Sequence, residues 1–325
     1  TLVSLHKRTR CAIAMSARNL ITVVTACFNE EDNVREVYKR VRNTFHDISL
    51  DYEHIFIDNA SKDSTVEILR EIAANDPNIK VIINNRNFGH IRSPTHGIFQ
   101  AAGDAVISLV ADLQDPPELI PELIEAWRSG YKIAVGVKQT SDETFLKKAI
   151  RKSFYRAIDR LADTKTILDF TGFGIYDRSV INVLKELDDP YPYFRGLISE
   201  LGYKVKQISY HQPIRKKGIT KNNIFSLFDM ALLAVTSHSL VPLRLATFIG
   251  ITSSIVSFVI GITYLVYKLI FWDVFDLGLA PILIGQFFLG SVILLFLGII
   301  GEYIGSIHRF VARRPLVIEK ERINF

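Results

Sequence analysis

Apolar positions follow two regimes along this 325-residue chain. Up to about residue 223, short apolar runs alternate with charged stretches, as in a soluble domain. Beyond it, residues 245–267 and 278–301 each run more than about 20 residues without a formal charge, long enough to cross a bilayer. Within the first regime the runs at 20–27, 54–58, 79–83, 105–111 and 131–137 are short and rich in β-branched residues, which predicts buried strands. Between them the period lengthens. Val34, Val37, Tyr38 and Val41 fall on one helical face, and further helices are predicted up to residue 73, over 91–101 and over 117–127. Strands alternating with helices at this spacing predict an α/β fold whose mostly parallel sheet is covered on both faces.

Two amphipathic stretches separate the regimes. Over 143–163, Leu146, Ile150, Phe154, Ile158 and Leu161 form an apolar stripe on an otherwise basic surface, suited to lying among lipid headgroups or to packing on the sheet with a solvated basic face. Residues 224–235 repeat the pattern just ahead of the first span. Lys216, Lys217, Lys221 and Arg244 precede that span, and Arg309, Arg313 and Arg314 follow the second, while the connection W-D-V-F-D-L at 272–277 is acidic and aromatic. The positive flanks place both long ends on the cytoplasmic side.

Composition changes this picture little. A net charge of +5 suits a protein pressed against anionic lipid, and nothing in its distribution calls for nucleic acid. Two cysteines, Cys11 and Cys27, make no disulfide framework and no metal-ligand spacing. Residues 1–18 are basic, lack the apolar core of a cleavable signal and read as an extension ahead of the fold. The predicted order is a soluble domain over 19–221, a juxtamembrane amphipathic helix over 222–239, spans over 240–272 and 278–307, and a cytosolic tail over 308–325.

The candidate chemistry lies where strands end. The run A-V-I-S-L at 105–109 leads into V-A-D-L-Q-D-P-P-E at 110–118, so the oxygens of Asp112 and Gln114 sit on a loop at a strand's carboxyl end, where open α/β sheets bind ligands. Both are hard ligands suited to Mg2+ or Mn2+, ions that are usually completed by water and a substrate's phosphates. The alternative is a capping loop, with Asp112 or Asp115 accepting backbone N–H groups ahead of the next helix. At the earlier strand ends Phe28 could stack near a base, while Glu30 and Asp58 could accept from base N–H or ribose hydroxyls. Neither G-x-G-x-x-G nor G-x-x-x-x-G-K-[ST] occurs in these positions, which argues against a dinucleotide enzyme or a P-loop NTPase.

Taken together, C-F-N-E-E-D-N (27–33), F-I-D-N-A-S-K-D-S (56–64), N-R-N-F-G (85–89), A-D-L-Q-D-P-P-E (111–118), T-G-F-G (171–174), R-K-K-G-I-T-K (215–221) and the tail G-E-Y-I-G (301–305) with R-R-P (313–315) resemble family 2 glycosyltransferases. The similarity is to the polyisoprenyl-phosphate hexosyltransferases, which include dolichol-phosphate mannose synthases and bactoprenol glucosyltransferases. It implies a GT-A type Rossmann-like domain followed by two transmembrane helices. It implies that Ala26, Phe28, Glu30 and Asp58 contact the nucleotide and that Asp112 and Gln114 meet Mg2+ or Mn2+. It further implies that Lys138 and Arg151 lie near the diphosphate or acceptor phosphate, and that Arg215 and Lys221 belong to a mobile loop over the site. This chain departs at Val110, where some relatives carry another Asp, and at Lys138, where relatives often carry Arg. The Q-x-x-R-W signature of processive synthases is absent.

The expected activity is inverting transfer of one hexose, glucose first among the donors, from a UDP-sugar to polyprenyl (undecaprenyl) phosphate at the cytosolic face of the bacterial inner membrane. Transfer of mannose or a modified aminosugar by the same scaffold, and a non-catalytic nucleotide-binding membrane scaffold, are the competing readings. A homo-oligomer is compatible with each.

Overall fold

The computed structural model describes residues 20–48, 50–138, 167, 170–212, 241–271 and 279–325. The extension at 1–18, the basic amphipathic stretch at 143–163 and the juxtamembrane helix at 222–239 lie outside them, as do Arg151, Arg215 and Lys221. The chain divides into two units. One comprises residues 1–147, 166–221 and 313–325, and the other residues 148–165 and 222–312.

The first unit is built on an eight-stranded sheet: β1 (Ile21–Cys27), β2 (Tyr52–Asp58), β3 (Ile79–Asn84), β4 (Ala105–Val110), β5 (Ile133–Lys138), β6 (Phe170–Asp177), β7 (Val205–Tyr210) and β8 (Glu319–Ile323). Their order is β7-β5-β6-β4-β1-β2-β3-β8. The pairs β1–β2, β1–β4, β2–β3 and β5–β7 are parallel, while β6 and β8 run antiparallel to their neighbours. Strands β1 to β5 and β7 therefore all end at one edge.

Helices cover both faces, as continuous apolar strands require. Helices α1 (Val34–Ile48), α2 (Thr65–Asn75) and α4 (Ile120–Arg128) pack over one face, where Val37, Phe45, Leu69 and Leu123 meet Phe56 and Ile107. Helices α3 (Gly89–Gln100), α5 (Arg178–Glu186) and α6 (Phe194–Glu200) cover the other, with Ile98, Ile181 and Ile198 against Ile55 and Val106. The anticipated stripe on α1 is real: Val34, Val37 and Val41 are buried.

The strands β6, β7 and β8 were not foreseen. In β6 the glycines of T-G-F-G look like breakers, yet a Cβ on Gly174 would stand 2.5 Å from the Ala134 carbonyl oxygen of β5. Glycine is what lets the two strands approach. The stretch 308–325, read as a tail, supplies β8, which pairs antiparallel with β3 and closes that edge.

The second unit holds α7 (Val241–Ile270) and α8 (Leu279–Val311). Within them Leu243–Thr263 and Phe288–Val311 are long and apolar enough to cross a membrane, with mean hydropathies of 2.1 and 2.0. Their large side chains, among them Phe248, Phe258, Leu269, Leu294 and Leu295, are exposed, so these are not the core helices of a soluble domain.

Candidate active site

The first two loops at the shared strand edge are bound to each other. The Asn29 N–H donates to Ser61 Oγ at 2.9 Å, Lys62 N–H to Asn29 Oδ1 at 2.8 Å, and Glu30 N–H to Thr65 Oγ1 at 2.9 Å. Glu30 in turn accepts from Asn33 Nδ2 at 2.6 Å. Asp58 is fully buried; its Oδ2 accepts the Ser61 N–H at 2.9 Å and its Oδ1 the Ser61 hydroxyl. Burial raises the Asp58 carboxyl above its ordinary value, opposed by those two bonds. Asp58 thus shapes the loop after β2 at the floor of the site.

The loop after β3 joins the same scaffold through asparagines. Asn59 Nδ2 donates to Asn87 Oδ1 at 2.9 Å, and Asn59 Oδ1 accepts the Phe88 N–H at 2.9 Å and Asn84 Nδ2 at 3.2 Å. The Arg86 guanidinium lies over the Phe88 ring, 4.1 Å from its centroid. Sequence reasoning passed over this network, although N-R-N-F-G was in view. An asparagine's partners become visible only when three loops are assembled.

Asp112 and Gln114 stand on the loop after β4, both half-buried. The register sets Ala26 opposite Val110 on one side and opposite Ile57 on the other. With neighbouring strands about 4.8 Å apart, the ends of β4 and β2 are separated by roughly 10 Å, the scale of a nucleoside diphosphate. Glu30, Asp58 and Asp112 are thereby brought to three adjacent strand ends, with Ala26 and Phe28 closing the middle one.

Three non-glycine residues hold left-handed backbone here: Asn29 at φ 56°, Ala60 at 61° and Leu113 at 60°, one in each loop after β1, β2 and β4. Ala and Leu gain nothing from that conformation, which costs about 1–2 kcal/mol. Such strain persists where surroundings over-determine it and clusters at functional sites.

Asp112 Oδ1 accepts the Gln114 N–H at 3.1 Å, and among the described residues Oδ2 has no hydrogen-bond partner. Val110, on the approach to the loop, is an apolar side chain 40% exposed. No group of three or more His, Cys, Asp or Glu able to hold a metal occurs among the described residues. One carboxylate and one amide fit a hard cation that takes most of its oxygens from water and substrate phosphates, as Mg2+ and Mn2+ do.

Asp115 caps nothing. Neither the 3-10 turn Pro117–Leu119 nor α4 has a side-chain cap bond. Instead Asp115, 2% exposed, accepts the Tyr210 hydroxyl at 2.6 Å. Burial pushes its carboxyl up to about 6, against that hydrogen bond and the nearby Lys138. Burial and the same contact raise the Tyr210 phenol. Lys138 ends β5, half-buried and opposite Tyr210 in register, so its ammonium stands on the same edge. The Asp115–Tyr210 pair had no local signal, because the two residues are 95 apart in sequence.

Comparison with known proteins then bears on this edge. Residues 22–184 match the pattern of glycosyl transferase family 2. The chain is 36% identical to the uncharacterized glycosyltransferase YkcC of Bacillus subtilis, over 94% of each chain. It is 33% identical to the bactoprenol glucosyl transferase of Shigella phage SfII, over 93% of this chain and 97% of that one. Among solved structures, glucosyl-3-phosphoglycerate synthase from Mycobacterium tuberculosis, in complex with Mn2+, UDP and phosphoglyceric acid, is similar at a TM-score of 0.47 with 18% identity, over 69% of this chain and 78% of that one. The expected α/β domain with a mostly parallel sheet, followed by two long apolar helices, is borne out. With the matched pattern spanning the strand edge that carries Glu30, Asp58 and Asp112, and a relative aligned over nearly its whole length, the chain belongs to glycosyltransferase family 2.

Proposed function

We propose that this chain transfers a single hexose, glucose in the first instance, from a UDP-sugar to the phosphate of a polyprenyl lipid, with inversion at the anomeric carbon. The observation that carries the reading is the position of Asp112: a half-buried carboxylate whose Oδ2 has no hydrogen-bond partner among the described residues, on a strained loop two strands over from Asp58, in a chain similar to bactoprenol glucosyl transferases. Asp112 and Gln114 would hold Mg2+ or Mn2+, which supplies charge neutralisation for the sugar donor's diphosphate.

The remaining chemistry falls to the protein and the lipid. The acceptor phosphate carries about −1.5 to −2 charge near neutral pH, so it attacks without a general base. One of its oxygens forms the new bond to the anomeric carbon as the bond to the nucleoside diphosphate breaks, and the electron pair leaves with the diphosphate. Lys138 steadies that departing charge, and Arg151, Arg215 and Lys221 are assigned to the acceptor side. Glu30, Asp58, Ala26 and Phe28 form the nucleoside end.

The membrane reading rests on α7 and α8. Strand β7 precedes the two helices and β8 follows them in the same sheet, which supports an even number of crossings. Arg244, Arg309, Arg313 and Arg314 at the outer ends assign that side to the cytoplasm of a bacterial cell membrane.

The test is a transfer assay of the detergent-purified protein with undecaprenyl phosphate, Mg2+ or Mn2+, and a panel of UDP-glucose, GDP-mannose and UDP-linked aminosugars. UDP-glucose is expected to give a lipid-linked product, and absence of transfer from every donor would sink the reading. Asp112→Ala is expected to abolish transfer in a folded protein, so a wild-type rate would refute the metal assignment. Arg215→Ala is expected to weaken use of the lipid more than nucleotide binding.

A further inference from the structure

Asp115 is a buried carboxylate that neither caps a helix nor belongs to the ligand pair proposed above, and Tyr210 is a tyrosine with no assigned part in transfer. We infer that Tyr210 is a positioning residue for the cation: its hydroxyl, donated to Asp115, anchors the far end of the 111–116 loop to the edge strand β7 and so holds Asp112 and Gln114 in place. The inference rests on the assignment of those two residues to the cation.

The connection is long in both sequence and space. In the sheet, β5 and β6 lie between β7 and β4, so the loop after β4 and the Tyr210 ring, which leans over β5, together bridge those two strands. The hydroxyl reaches Asp115 Oδ1 at 2.6 Å inside the protein. A buried carboxylate that loses that donor keeps only the nearby Lys138 and Thr171 against its burial, a cost the loop would reduce by moving.

The ring itself is held. A Cβ on Gly136 of β5 would stand 2.8 Å from Phe173 Cδ1 and 3.0 Å from Tyr210 Cε1, so the space above β5 is kept open for the two aromatic rings. Phe173 meets Tyr210 edge-on, with ring centroids 5.8 Å apart at 80°. With the ring fixed, the hydroxyl oxygen is held beside Asp115.

The other end of the loop explains why an anchor is needed. Leu113, between the two candidate ligands, sits at φ 60°, a conformation a leucine leaves unless its neighbours prevent it. Pro116 and Pro117 restrict the chain directly after Asp115. Pinned at Asp115 and at the end of β4, the intervening residues keep the strained turn that sets Asp112 beside Gln114.

The experiment uses the full chain in detergent and reads Mn2+ binding by calorimetry in the presence of UDP, together with hydrogen exchange at residues 111–116 without metal. Tyr210→Phe keeps the ring and removes the donor. It is expected to weaken Mn2+ binding by about tenfold, the worth of one hydrogen bond to a charged group, and to speed exchange in the loop while the protein still melts cooperatively. Asp115→Asn keeps an oxygen acceptor and is expected to bind Mn2+ more tightly than Asp115→Ala. Asp115→Ala combined with Tyr210→Phe should be no worse than Asp115→Ala alone. Wild-type Mn2+ affinity in folded Tyr210→Phe, or losses that simply add, would overturn the inference. Asp112→Ala in the same titration separates the two levels. If it loses Mn2+ while Tyr210→Phe does not, only the anchor fails; if it binds as wild type, the metal assignment fails and the anchor's role with it.

Discussion

His96 on α3 and Glu319 on β8, 223 positions apart in the sequence, meet at 2.5 Å, Nε2 to Oε1. Around this pair, Arg92 donates to the Pro315 carbonyl, Asn85 N–H to the Ile318 carbonyl at 2.9 Å, and Asn324 Nδ2 to the carbonyls of Ala73 and Ile79 at 2.7 and 2.9 Å. The segment after the second apolar helix is thus an integral edge of the sheet, and it grips the helix and loop that follow β3.

Removing residues 317–325 is therefore expected to cost far more than trimming a tail. Loss of buried Val317 alone is worth about 1.5–3 kcal/mol, and the bared edge of β3 adds to it. A fall of roughly 6–12 °C in melting temperature follows. Glu319→Gln, which weakens the contacts to His96 and Arg322, should lower stability by about 1 kcal/mol. A truncated protein that melts with the intact one would show the strand to be dispensable.

Val110 offers a gain of function. Its side chain is exposed at the end of β4, two positions before Asp112, where a carboxylate would add a third oxygen donor. Val110→Asp is expected to tighten Mn2+ binding about tenfold or more, since one added charged ligand raises affinity for a hard cation. Unchanged or weaker binding by calorimetry would mean that this position does not face the ion.

Gly97 tests how closely α3 lies on the sheet. Alanine would improve helix propensity by about 1 kcal/mol. However, its Cβ would meet Val24 Cγ1 at 2.9 Å and Ile57 Cγ2 at 3.1 Å, both on β-branched side chains of the central strands. Overpacking costs about 1–3 kcal/mol, so Gly97→Ala should destabilise on balance, read as a lower denaturation midpoint. A raised midpoint would show the helix free to shift outward.

His54 gives the fold a pH dependence of known sign. It is fully buried on β2, contacts Thr25 Oγ1 at 2.8 Å, and its Nδ1 has no partner among the described residues. Burial pushes its pKa down to about 3, whereas in the unfolded chain it titrates near 6.5. The unfolded state therefore takes up the proton first. The contribution of neutral His54 is present in full above pH 6.5 and is lost progressively as pH falls toward 3. Compared with the wild type, His54→Gln should show a shallower loss of melting temperature between pH 6.5 and 4; parallel curves would exclude His54 as the source.

Much of this architecture was written locally. The β-branched runs of β1 to β5, the i, i+3, i+4 stripe of α1 and the two uncharged stretches each carry their own period, because a strand buried on both faces and a helix with one buried stripe admit few other patterns. The acidic strand ends could be read for the same reason: a run of apolar residues that stops at Asp112 must deliver it to the sheet's edge.

What tertiary structure decided were the partners. Glu-Lys-Glu-Arg-Ile at 319–323 has no strand signature of its own, being polar and charged at alternate exposed positions. It becomes β8 only because β3 has an open edge beside it. The glycines of β6 read as breakers until β5 approaches within reach of their missing side chains. Asp115, which by sequence could cap the next helix, turns instead to Tyr210, because a buried carboxylate goes to whichever donor the assembled sheet provides. Local periodicity sets which residues are interior; only the folded chain settles which of them touch.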